Sequence, residues 1–201
     1  MNYKNTALIL VGFQNDYFSP NGILRNIVEE SGKVTNILSN TMHLITGLVN
    51  TPTSIVATPI MFTSDYQELE PEPVGILSVI KELRAFQADQ PGSETIPELL
   101  SFGDRIDYIV GKHGLNAFSN TELANYLYDR DIKHVVVAGT VTAVCVDSTA
   151  RCAAELGFHV AILRDCTSSR TVFEQEFYCK HIFPIYANVT DHLSLLALLN
   201  E

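Results

Sequence analysis

The sequence predicts an α/β fold: three layers, α-β-α, around a central, mostly parallel sheet of about six strands. Two observations carry this expectation. Short runs of β-branched and aliphatic residues alternate with stretches of helical period, and no tandem repeat or low-complexity tract interrupts them. The 201 residues, 46% hydrophobic, are enough to bury one core, so a single domain over residues 1–201 is expected.

The elements follow in order. Thr6 to Phe13 (TALILVGF) is nearly all apolar, as a strand covered on both faces must be. Ser19 to Gly22 is a turn, and from Gly32 to Val49 apolar residues recur every three or four positions, which predicts one amphipathic helix. Ser54 to Phe62 is the second strand, made irregular by Pro59, and the polar, proline-containing Thr63 to Gly75 is a surface loop. Ile76, Leu77, Ile80 and Leu83 suit one helix face, and Ser93 and Glu94 introduce a short helix ending near Leu100. Ile106 to Val110 is a third strand running into Gly111 and Lys112. Ser119 with Glu122 has the spacing of a capping box for a helix to Asp129.

His134 to Ala138 is a fourth strand. After Gly139 comes an alanine-rich segment of helical character that carries Cys145 and ends at Gly157. Phe158 to Leu163 is a fifth strand, with Arg164 and Asp165 at its end. A helix over Val172 to Lys180, a short strand near Ile182 to Tyr186, and a closing helix capped by Thr190 complete the chain.

Composition narrows the function. A formal net charge of −10 without any Lys/Arg-rich block argues against nucleic acid or an anionic membrane as partner and leaves a small molecule or another protein. The N-terminal apolar run is too short for a signal peptide, and no stretch reaches the roughly 20 apolar residues that span a bilayer. A cytoplasmic location is therefore expected. The four cysteines, Cys145, Cys152, Cys166 and Cys179, form no CxxC pair and no zinc-finger pattern, so neither structural disulfides nor a cysteine-based metal site is expected.

Chemistry concentrates at strand ends, where open α/β sheets bind ligands. Asp16 follows the first strand, Lys112 the third, and Cys145 the fourth. In a parallel sheet all three lie on one edge. A thiol at a strand–turn–helix junction feels the positive end of the helix dipole, which favours thiolate. Each residue also has a plain reading: Asp16 as a turn cap, Lys112 as a solvated charge, Cys145 as a small buried hydrophobe. Arg151 has the spacing for an ion pair with Asp147. His113 reads as an exposed loop histidine, and Cys152, Cys166 and Cys179 as packing residues.

Three pieces, ALILVGFQNDYF, GKHGLNAFSNTEL and VVVAGTVTAVCVDSTARCAAELGFHVAILRDCTSS, make the chain resemble the isochorismatase-like cysteine hydrolases, a superfamily that includes nicotinamidases, N-carbamoylsarcosine amidases and ureidoacrylate amidases. The match is weakest between Asn21 and Ser93. The resemblance implies the isochorismatase-like, Rossmann-like fold and a role for each residue. Cys145 falls on the nucleophile, Asp16 on the carboxylate that takes the thiol proton, and Lys112 on the cation that holds both. A cis peptide is implied at Thr140–Val141, and the backbone N–H groups of Val141 and Cys145 as an oxyanion hole, where losing one donor typically costs ~3 kcal/mol of transition-state stabilisation. The turn reads GTVT where relatives usually have GVxT. Metal-dependent nicotinamidases carry an aspartate closely followed by histidine after the second strand, whereas Asp65 here is followed by Tyr66 with no histidine near. No metal and no cofactor are therefore expected. Phe13, Phe18 and Phe118 are candidate pocket walls. The expected reaction is C–N hydrolysis of a small amide, carbamoyl or ureido substrate through a thioester at Cys145. The alternatives are vinyl-ether hydrolysis by Asp16 and Lys112, and a catalytically silent member that binds a ligand or protein. The resemblance also implies a homo-oligomer, dimer or tetramer.

Overall fold

A computed structural model describes residues 1–199. Its core is a six-stranded, all-parallel sheet in the order β3-β2-β1-β4-β5-β6, formed by β1 (Thr6–Val11), β2 (Ser54–Thr58), β3 (Asp107–Tyr108), β4 (His134–Thr140), β5 (His159–Ser168) and β6 (Asn188–Thr190). The order reverses between β1 and β4, where Val11 lies beside Gly139. That is the topological switch point, the usual crevice for ligands in such sheets.

Strand alternation builds two cores. Ala7, Ile9, Val11, Val135 and Val137 point to one face, against Leu123 and Leu127 of one helix and Val146, Ala150 and Ala153 following Cys145. Leu8, Leu10, Val136 and Ala138 point to the other, against Ile37, Leu44, Ile45 and Leu48 and, from the last helix, Leu195 and Leu199. A third, aromatic-rich cluster contains Tyr17, Phe62, Tyr66, Phe86 and Val141.

The helices are α1 (Asn15–Phe18), α2 (Arg25–Thr35), α3 (Ile37–Leu48), α4 (Ile76–Leu83), α5 (Pro97–Leu100), α6 (Leu123–Tyr128), α7 (Asp147–Glu155), α8 (Val172–Phe177) and α9 (His192–Leu199). Several expectations need correction. The stretch expected as one helix over Gly32 to Val49 is divided by Asn36, which takes a left-handed conformation at φ 54°. The Ser119 capping box does not form: α6 begins after Glu122, and Thr121 Oγ1 accepts the Leu123 N–H at 3.3 Å. The strand expected at Ile182 to Tyr186 is a helical turn over Phe183–Ile185, because Pro184 has no N–H for a ladder; β6 lies just beyond it. Thr190 ends β6, and Asp191 caps α9 by accepting the Ser194 N–H at 2.9 Å. β5 continues past Leu163 to Ser168, with an irregular register that skips from Ile162 to Thr167. Among the described residues no helix is long and apolar enough to cross a membrane.

Candidate active site

The thiol rises from the end of β4. Two glycines let β1 and β4 close there. A Cβ at Gly139 (φ +131°) would fall 1.9 Å from the Val11 carbonyl oxygen, and one at Gly12 (φ +72°) 2.6 Å from that of Thr140. The Thr140–Val141 peptide is cis, and the chain then makes a π-helical turn over Thr142–Val146 before α7 begins. Cys145 sits in that turn, 6% exposed. Thr142 Oγ1 hydrogen-bonds Gln175 Oε1 at 2.5 Å, and Gln175 Nε2 donates to Thr167 Oγ1 at 2.9 Å, so α8 pins the turn to β5.

Lys112 arrives from an extension of the β3 side. Its backbone bridges Ile60, its carbonyl accepts the Met61 N–H at 3.1 Å, and its side chain is 1% exposed. Nζ donates to the Gly114 carbonyl at 2.5 Å and approaches Cys145 Sγ at 3.8 Å. The loop behind it is tied to the cysteine helix, since Thr149 Oγ1 accepts the Ala117 N–H at 3.0 Å. Burial pulls the Lys112 ammonium below the ordinary lysine range, and the neighbouring thiol opposes that shift.

Asp16 makes no side-chain hydrogen bond or ion pair with either of them among the described residues. Its carboxylate is buried, Oδ2 accepts the Phe86 N–H at 2.6 Å, and a Cβ at Gly92 would fall 2.1 Å from Oδ1. Burial pushes its carboxyl above the usual range, partly offset by hydrogen bonds from the Phe86 and Ile23 backbone. Lys112 takes part in none of the ion pairs among the described residues. The structure thus brings Lys112 and Cys145 together, and directs the Asp16 carboxylate into the loops that carry Phe86 and Gly92.

The remaining candidates divide. Phe118 shares the buried cluster of Cys145 and stacks on Phe158, while Phe13 lies in the cluster on the opposite sheet face, stacked on Phe18 at 5.4 Å. His113 is half-buried rather than exposed, with Nδ1 2.5 Å from the Met61 carbonyl oxygen. Arg151 pairs with Asp147 at 2.9 Å. Cys166 is buried and Cys152 and Cys179 are half-buried, and burial raises the Cys166 and Cys179 thiols.

Two residues near the site, both within ALILVGFQNDYF, have no role that the sequence alone assigns. Gln14 staples the strand-end loops: Nε2 donates to the Ile60 and Ser93 carbonyls at 2.8 and 2.7 Å, and Oε1 accepts the Ile60 N–H at 2.9 Å. Tyr17 is buried, its ring 3.5 Å from where a Cβ at Gly12 would be, and its phenol is raised well above the ordinary range by burial and by the charges of Cys145 and Asp16.

Asp65 does not suit a metal: it is exposed and accepts from Gln67 Nε2 at 2.8 Å. Among the described residues, the gathering of three metal-ligand types is Asp165, Cys166 and His192, beyond β4. There the donors satisfy one another. His192 Nδ1 lies 2.6 Å from Asp165 Oδ2, His192 Nε2 lies 3.0 Å from His43 Nδ1, and Asp165 Oδ1 accepts the His192 N–H at 3.1 Å.

Comparison with known proteins agrees with this architecture. A family model described as "Isochorismatase domain" matches residues 6–194. The uncharacterized isochorismatase family protein YddQ of Bacillus subtilis (strain 168) is 24% identical over 173 residues, covering 83% of this chain and 79% of its own. The ureidoacrylate amidohydrolase RutB of Caulobacter vibrioides is 28% identical over 183 residues, covering 82% of this chain and 77% of its own. Among solved structures, a cysteine hydrolase from Pseudomonas syringae pv. phaseolicola 1448A superimposes with a TM-score of 0.87 at 19% identity, over 100% of this chain and 94% of that one. At that identity the likeness speaks for the fold.

Proposed function

The chain belongs to the isochorismatase domain family, and on that premise we propose that it hydrolyses a C–N bond of a small amide, carbamoyl or ureido compound through a thioester at Cys145. The observation that carries the reading is the 3.8 Å approach of Lys112 Nζ to Cys145 Sγ, both buried, beyond the end of β4 beside the switch point of the sheet. A thiolate divides amide hydrolysis into acylation and deacylation, each with a lower barrier than direct attack by water. The Val141 and Cys145 N–H groups serve as donors to the oxyanion of each tetrahedral intermediate. No metal or other cofactor takes part in this scheme, and the unit of function is a homo-oligomer.

The amidase relatives support the choice of substrate class. Ether hydrolysis would rest on Asp16 and Lys112, which form no ion pair here. One second reading has an observation in its favour. With the thiol 6% exposed and the Asp16 carboxylate bonded to Phe86, a silent, ligand-binding member has the same geometry.

A screen of amides, carbamoyl and ureido acids for ammonia release separates the two. We expect turnover of at least one substrate, loss of roughly 1000-fold or more in Cys145→Ala, and an acyl adduct on Cys145 by intact-protein mass spectrometry. Full activity in Cys145→Ala, or binding without turnover throughout the screen, would overturn the hydrolase proposal.

A further inference from the structure

Building on the thiol reading above, we infer that Lys112, as a neutral amine, is itself the base that takes the Cys145 proton, so that the working unit is a lysine–cysteine pair with Asp16 outside it.

Three observations lead there. Lys112 Nζ is 3.8 Å from Sγ, and its other hydrogen-bond partner is the Gly114 carbonyl, which accepts from an amine whether or not it is protonated. Lys112 is 1% exposed, yet joins no ion pair among the described residues. A permanent ammonium in such a place lacks the carboxylate that interior charges require, whereas an amine does not need one. The carboxylate expected from the sequence, Asp16, accepts the Phe86 N–H at 2.6 Å instead.

The other titratable groups placed near the pair, among the described residues, are engaged or hold their proton. From the π-helical turn the Cys145 thiol faces Lys112. From α1 the Tyr17 phenol lies near, but burial and the charges of Cys145 and Asp16 keep its proton on. On its own loop, the His113 ring is engaged with the Met61 carbonyl. Burial lowers the lysine, which is the direction a general base needs.

The cycle balances on these two residues. The amine takes the thiol proton, the thiolate forms a C–S bond to the carbonyl carbon, and the ammonium returns the proton to the departing nitrogen as the C–N bond breaks. The amine then takes a proton from water. The resulting hydroxide adds to the thioester, the C–S bond breaks to release the acid, and the proton on Lys112 returns to sulfur.

The test reads the thiol directly, so it does not depend on knowing the substrate. Cys145 alkylation by iodoacetamide is followed by peptide mass spectrometry at neutral pH in wild type, Lys112→Ala and Asp16→Asn. We expect Lys112→Ala to react at least about tenfold more slowly, and Asp16→Asn to stay within about twofold of wild type. Small primary amines added to Lys112→Ala, compared at equal free-amine concentration, should restore alkylation in proportion to their basicity. An equal fall in Asp16→Asn, an unchanged rate in Lys112→Ala, or restoration independent of amine basicity would overturn the inference. If Asp16→Asn does not fold, the amine series decides alone. Failure to release ammonia from any amide would instead remove the hydrolase reading while leaving the proton-transfer pair intact.

Discussion

A carboxylate at a strand end has two uses, to react or to organise backbone, and Asp16 makes contacts of the second kind. Its Oδ2 accepts the Phe86 N–H, 70 residues away in sequence, and its Oδ1 occupies the place a side chain at Gly92 would take. Cys145 and Lys112 were legible because their strand ends were. The Asp16 partner was not, since a backbone donor has no residue-type signature and Phe86 reads as core. A stability prediction follows. Burial holds the folded-state carboxyl above its ordinary range, so the protonated form favours the fold. That contribution is fully present below the ordinary aspartate range and is lost as pH rises through the raised value. Asp16→Asn keeps an oxygen for the Phe86 N–H and never ionises. Its melting temperature should therefore exceed that of wild type at about pH 7, with the gap closing near about pH 4. A lower melting temperature at neutral pH, measured by circular dichroism, would mean that the charge itself stabilises the loops.

At the scale of elements, strands covered on both faces were readable from their apolar runs, and β1 and β4 fall where TALILV and HVVVAGT stand. Boundaries set by single backbone conformations were harder to see. The helical period passes straight through Asn36, although its left-handed φ separates α2 from α3. Phe183 is fully buried, as an expected strand residue would be, but Pro184 beside it removes a ladder donor. Gly139 is the position where β1 and β4 depend most on a missing side chain. With its Cβ position 1.9 Å from the Val11 carbonyl oxygen and φ at +131°, alanine must push the strands apart. Gly139→Ala should cost about 3 kcal/mol in urea unfolding and should also loosen the turn that carries Cys145. A cost below about 0.5 kcal/mol would mean that the strand pair accommodates the methyl group by a local shift.

For the whole molecule, the legible part was the layered architecture and the edge of the sheet where chemistry gathers. What covers that edge was hidden, because the segment from Ile60 to Phe86 carries mixed polar and apolar residues whose contacts are long-range. In the fold, Ile60, Phe62, Tyr66, Ile80 and Phe86 close with Tyr17 into one cluster on Val141, and Val144 packs on it beside the thiol. On the proposed role of Cys145 this cluster is its apolar cover, and the rate at which Cys145 meets a small reagent tests how often that cover opens. Tyr66 fastens it: its hydroxyl donates to the Ala85 carbonyl at 2.7 Å, and burial pushes its phenol up to about 12, so the donor is intact at neutral pH. Removing one such bond costs about 1 kcal/mol, a factor of about five in the open population. Tyr66→Phe, which keeps the ring, should therefore speed alkylation of Cys145 about fivefold without changing its dependence on Lys112. An unchanged rate would place the entrance elsewhere and leave this cluster as ordinary core.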